Sequence, residues 1–132
     1  MADVTTEWGP GDEYPVTGMC FDSFNEYQDF TSTTDLTRTS LNPILGLSGE
    51  VGEIHEKLKK LTRPGREESI DLSALDDENK DGLAKELGDI LWYVSRFAAK
   101  IGYSLGDIAK LNVDKLSDRK ARGVIYGKGD TR

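Results

Sequence analysis

The chain has 132 residues, 36% of them hydrophobic and 31% charged, which suffices for one domain to bury a core without disulfides. Its net charge of −7 disfavours a nucleic-acid polymer as partner, because such binding neutralises many phosphates at once, and no apolar run reaches the roughly 18 residues of a membrane span. The acidic Met1–Glu7 start is the reverse of a secretory signal, and one cysteine, Cys20, can neither staple a fold nor build a thiolate zinc site, so a cytoplasmic protein is expected.

Residues 1–19, with Gly9, Pro10, Gly11, Pro15 and Gly18, read as an extended leader, and 20–132 as a single domain. Phe21, Phe24, Tyr27, Gln28 and Phe30 then follow at near-helical spacing, with Asp22 or Ser23 as cap and the helix ending in Thr31–Thr34. Asn42 is expected as the N-cap of the next helix, with Pro43 at its first position. Leu47, Val51, Ile54, Leu58 and Leu61 carry that helix until Thr62-Arg63-Pro64-Gly65 stops it. Residues 65–81, with Glu67-Glu68 and Asp76-Asp77-Glu78, suggest a solvated loop containing one helical turn around Ser73–Leu75. A second strong helix carries Leu83, Leu87, Ile90, Leu91, Val94, Ala98 and Ile101 on one face, with Gly102 at C′. Ser104 and Asp107 make a capping box for a third, running through Ile108, Leu111 and Leu116 to about Lys120. The glycine-rich end, 123–132, suits a small hairpin or arm. The pattern predicts an all-α bundle of about four helices.

Two of these helices carry paired carboxylates. Glu50 and Glu53 stand at i and i+3, as do Glu86 and Asp89, so each pair shares a helical face. At about 100° per residue all four lie at the shoulders of the apolar stripes, and antiparallel packing would bring those shoulders together. Gly52 and Gly88, between the members of each pair, each sacrifice about 1 kcal/mol of helix propensity relative to alanine. They suit close approach of a ligand or of a neighbouring helix. Four clustered carboxylates repel one another unless a cation stands between them. Hard divalent ions, Mg²⁺ or Mn²⁺, bind such oxygens and share their other positions with water and phosphates. A pair of such ions can activate a water and neutralise a leaving group. The same spacing also occurs on ordinary solvated faces.

With its surroundings, Leu47-Ser48-Gly49-Glu50-Val51-Gly52-Glu53 and Lys85-Glu86-Leu87-Gly88-Asp89-Ile90-Leu91-Trp92-Tyr93, this pattern resembles the E-x-x-E and E-x-x-D helices of the MazG-like all-α nucleoside triphosphate pyrophosphohydrolases. Asn112-Val113-Asp114-Lys115-Leu116-Ser117-Asp118-Arg119 and Gly129-Asp130-Thr131-Arg132 are similar to further family segments, and the likeness spans roughly 20–132. It implies hydrolysis of a nucleoside triphosphate between the α and β phosphates, giving monophosphate and pyrophosphate. Glu50, Glu53, Glu86 and Asp89 would hold Mg²⁺, with Mn²⁺ as substitute, and Glu53, or else Glu50, would act on the attacking water. Lys115 and Arg119 suit the phosphates, or a solvated basic face. Asn112 and Tyr93 suit sugar or base, although Tyr93 also fits a core position. Lys57, Lys60 and Arg63 either reach the triphosphate or stay solvated. The resemblance further implies a homodimer or homotetramer with sites at subunit contacts, and leans to deoxynucleotides such as dGTP.

The 32 residues between Glu53 and Glu86 exceed the family's usual spacing, so the loop they contain bears on base specificity. His55, opposite Glu53 on its helix, is expected at the surface, and it counts against a di-iron bundle, which needs E-x-x-H on two helices. Trp8 and Trp92 suit packing, although Trp8 on the leader is also placed to close over a base. The competing readings are phosphoribosyl-ATP pyrophosphohydrolase and a non-catalytic helical oligomer that binds a nucleotide or a regulatory protein.

Overall fold

The computed structural model describes residues 23–36, 39, 41–62 and 71–124. They form α1 (Phe24–Thr34), α2 (Asn42–Leu61), α3 (Asp77–Lys100) and α4 (Leu105–Ala121), with a 3₁₀ turn at Leu72–Ala74. No strand occurs among the described residues, and the chain is all-α as expected. The leader, Cys20, Phe21, Asp22, Arg63 and the glycine-rich arm beyond Val124 lie outside them. Two compact units make up the chain, residues 1–34 with 98–132 and residues 35–97.

In the first unit, Ser23 and Glu26 form a reciprocal capping box. The Glu26 amide donates to Ser23 Oγ (3.2 Å) and the Ser23 amide to Glu26 Oε2 (3.0 Å). The Thr31–Thr34 stretch stays helical because each hydroxyl donates to the carbonyl three residues back, at 2.6–3.1 Å. Two polar side chains of α1 cap α4. Buried Gln28 donates from Nε2 to the Tyr103 carbonyl (3.1 Å) and accepts the Leu105 amide at Oε1 (2.9 Å). Asn25 Oδ1 accepts the Gly106 amide at 2.9 Å. Ser104 Oγ takes the Asp107 amide at 3.0 Å, completing the expected capping box with Asp107. Three amides that a helix start leaves without intrahelical partners are thereby satisfied.

Both following helix ends obey the same geometry. Gly102 (φ 81°) and Gly123 (φ 69°) adopt the left-handed conformation that closes α3 and α4. Tyr103 N donates to Ala98 O and Val124 N to Arg119 O, each at 2.9 Å, the six-to-one bond of a Schellman motif.

In the second unit, two expectations about helix starts are corrected. Leu41, not Asn42, holds the cap position of α2, without a side-chain cap; Asn42 is already inside the helix. The Asn42 Oδ1 accepts the Thr39 hydroxyl at 2.9 Å, so it is not turned to the helix amides. Pro43 is buried in the first turn, where its missing N–H costs no bond. The acidic run read as loop is in fact the start of α3. Asp76 Oδ1 accepts the Asn79 backbone amide at 2.8 Å, and Asp77 and Glu78 occupy the first turn, where the helix dipole favours negative charge.

The helical turn expected around Ser73–Leu75 is the 3₁₀ turn, capped by Asp71, which accepts the Ser73 amide and hydroxyl. Those two bonds hold the Asp71 carboxyl below its ordinary value. A buried ion pair, Arg96 Nε to Asp35 Oδ2 at 2.8 Å, joins the chain entering this unit to α3. The apolar stripes are largely open in the single chain: Val51, Leu87, Leu91, Ile101, Leu111 and Leu116 are all exposed, while Ala98 and Leu105 are buried.

Candidate metal centre

Within the second unit, α2 and α3 run antiparallel past each other. Gly46 meets Tyr93, Glu50 meets Glu86 and Asp89, and Lys57 meets Glu86 and Gly82, so positions ascend one helix as they descend the other. The Tyr93 ring lies on the bare backbone of Gly46, where an added Cβ would fall 2.1 Å from Tyr93 Cε1. Trp92 and Tyr93 make an edge-on pair with ring centroids 5.0 Å apart.

This register brings one oxygen each of Glu50, Glu86 and Asp89 within 4.8 Å of one another. Glu86 is buried, Glu50 half-buried and Asp89 exposed. Partial burial raises the proton affinity of the Glu50 carboxyl above that of an ordinary glutamate. The negative charges of Glu53, Asp89 and Glu86, and a hydrogen bond with Glu86, add to that rise. All-oxygen donors, close enough together to raise the proton affinity of one of them, match the preference of a hard divalent cation. Glu53, one turn beyond Glu50, is exposed and stands outside the group of three, although its charge reaches Glu50.

Among the described residues, nothing lies within 4 Å of where a Cβ would stand on Gly49, Gly52 or Gly88, positions that suit close approach to the backbone.

Lys57, expected either at the triphosphate or in solvent, stands beside the group with Nζ 3.1 Å from Glu86 Oε1, a pairing the sequence pattern did not single out. Its position carried a signal, since Lys57 follows Glu50 by seven residues and so shares its face two turns on. Lys57 and Lys60 also line a cleft of about 630 Å³ with Leu61, Glu78, Asn79, Asp81, Gly82, Leu83 and Lys85. Lys115 and Arg119 lie half-exposed and Asn112 exposed on α4, in the first unit, while Tyr93 is half-buried. His55 is exposed on α2, as expected.

An all-α chain with E-x-x-E and E-x-x-D on antiparallel helices, three of the carboxylates converging, defines a helical protein with an acidic centre suited to a divalent ion. The model of the MazG nucleotide pyrophosphohydrolase domain matches residues 38–124. The Gene 37 protein of Mycobacterium phage L5 is 42% identical over 88 residues, 67% of this chain and 72% of that protein. No solved structure matches. The chain belongs to the MazG family of nucleotide pyrophosphohydrolases, hydrolases that act on phosphoanhydride bonds and generally depend on divalent metal. The matched span covers α2, α3 and α4, and α1 precedes it. No described helix is long and apolar enough to cross a membrane.

Proposed function

We propose that the protein hydrolyses a (deoxy)nucleoside triphosphate between the α and β phosphates, releasing monophosphate and pyrophosphate, with Mg²⁺ held by Glu50, Glu86, Asp89 and Glu53. The observation that carries this reading is the convergence of the Glu50, Glu86 and Asp89 oxygens within 4.8 Å. Mn²⁺ offers the same oxygen chemistry and substitutes for Mg²⁺. Bound there, the metal supplies charge neutralisation for the phosphates and a more acidic water.

The protein's own groups divide the remaining work. Glu53, exposed and one turn from Glu50, orients the attacking water and takes its proton, and Glu50 supports it. Tyr93, seated on Gly46, offers a ring face and a hydroxyl to sugar or base. Asn112 adds an amide, and Lys115, Arg119 and Lys60 supply positive charge to the phosphates. The exposed Val51, Leu87, Leu91, Leu111 and Leu116 favour assembly as a homodimer or homotetramer, in which those apolar side chains leave water and the sites lie at subunit contacts. The domain is taken to run from about residue 20 to 132, behind a leader, in a cytoplasmic protein, with a lean towards deoxynucleotides such as dGTP.

The test is incubation with NTPs, dNTPs and phosphoribosyl-ATP in Mg²⁺ or Mn²⁺, with identification of the phosphate released. Pyrophosphate from a nucleoside triphosphate supports the proposal; orthophosphate, or turnover of phosphoribosyl-ATP alone, overturns it. Glu53→Gln and Asp89→Asn should each abolish turnover with helicity intact, and wild-type rates in either would refute the assigned site.

A further inference from the structure

The ammonium of Lys57 reaches from α2 across one turn of α3. It contacts Glu86 at 3.1 Å, and its Nζ stands 3.9 Å from where a Cβ on Gly82 would lie. Glu86 is the most buried of the three converging carboxylates, and the lysine side chain is 41% exposed. Part of the charge that would attract a divalent ion is therefore already neutralised by a group of the chain itself. A lysine ammonium is a compact charge on a flexible stem, and this end of the pair, unlike the buried Glu86, is open to solvent and free to exchange its partner. The contact relieves the crowding of three acids and can still be given up.

Resting on the reading of Glu50, Glu86 and Asp89 as metal ligands, we infer that Lys57 is a tethered monovalent cation that occupies Glu86 in the metal-free protein and is displaced when the divalent ion binds. A cation of charge two placed among these oxygens would lie close to the ammonium, repel it, and compete for the same Glu86 oxygens with twice its charge. The displaced side chain has somewhere to go. Glu78 and Asp81 line the same cleft as Lys57 and offer it other carboxylates. Lys57 thus stabilises the metal-free acidic group and, by the same contact, lowers its affinity for metal.

Calorimetric titration of metal-stripped protein with Mn²⁺ and Mg²⁺, together with melting curves with and without metal, tests this on wild type, Lys57→Met, Lys57→Arg and Glu50→Gln. Methionine keeps most of the stem and removes the charge. Lys57→Met should tighten metal binding about tenfold, or about 1.4 kcal/mol. It should also melt lower than wild type without metal and gain more from metal. Lys57→Arg should stay near wild type. Should circular dichroism show Lys57→Met misfolded, Lys57→Gln takes its place with the same expectation. Unchanged or weaker binding in the charge-removing variant, while Glu50→Gln loses binding, overturns the role of Lys57 and leaves the ligand assignment standing. Equal binding by wild type and Glu50→Gln, or none by wild type, overturns the assignment and this inference with it.

Discussion

Gly46→Ala is a one-carbon change whose outcome the geometry sets against its helix propensity. A Cβ at Gly46 would stand 2.1, 2.3 and 2.8 Å from Tyr93 Cε1, Cζ and Cδ1. Carbon atoms rest at about 3.5–4.0 Å, so the ring must retreat by about 1.5 Å. It cannot do so without disturbing its edge-on pairing with Trp92, at 5.0 Å and 89°. Forcing a methyl group into such a contact costs about 1–3 kcal/mol, and a loosened aromatic pair about 0.5–1.5 kcal/mol more. Against this, alanine gains about 1 kcal/mol of helix propensity over glycine. The net expectation is a loss of about 0.5–3.5 kcal/mol. Gly49→Ala is the control: it lies on the same helix with nothing within 4 Å, and so should gain about 1 kcal/mol. Reversible urea melts of the two variants, read by circular dichroism, measure the contrast. Tyr93→Leu should make Gly46→Ala harmless, and with Tyr93 displaced the substrate KM should rise more than kcat falls. A Gly46→Ala protein as stable as Gly49→Ala would refute the packing of Tyr93 on α2 and, with it, the antiparallel register that assembles the acidic group.

Two further outcomes follow from other contacts. The folded protein binds a proton at Glu50 more tightly than the unfolded chain does, so this contribution to stability is complete below the ordinary glutamate value and is lost as pH rises through the raised one. In chelator, Glu50→Gln should therefore be the more stable protein at about pH 7.5, with its advantage shrinking towards about pH 5; an advantage that ignores pH would sink the account of crowded carboxylates. Gln28→Leu strands the Tyr103 carbonyl and the Leu105 amide in a buried position, and should cost about 2–4 kcal/mol in the same urea melts. Gln28→Glu, which keeps only the acceptor, should fall between it and wild type.

The features legible in the sequence were those that depend on near neighbours. The Ser104–Asp107 box, Gly102 at C′ and the stop at Thr62 are set within a few residues, and the structure has each of them. The pairing of carboxylates on the two central helices was legible for the same reason. What escaped was settled by competition between partners. Asp76 reads as loop while it is counted with its acidic neighbours, yet it is the cap that starts α3, because Asn79 stands where the helix offers a free amide. Asn42 reads as a cap until Thr39 engages its side chain.

The acidic group combines both kinds of information. Spacing puts Glu50 and Glu53 on one face, and Glu86 and Asp89 on another, but only the register between α2 and α3 decides which oxygens meet. That register depends on Tyr93 finding bare backbone at Gly46, and it draws Glu50, Glu86 and Asp89 together while leaving Glu53 one turn along. The same alignment carries Lys57 to Glu86. An alanine in place of Gly46 would look like an improvement on any propensity scale. Physically it removes the seat that aligns the two helices, so a residue with no chemistry of its own controls how closely the carboxylates approach.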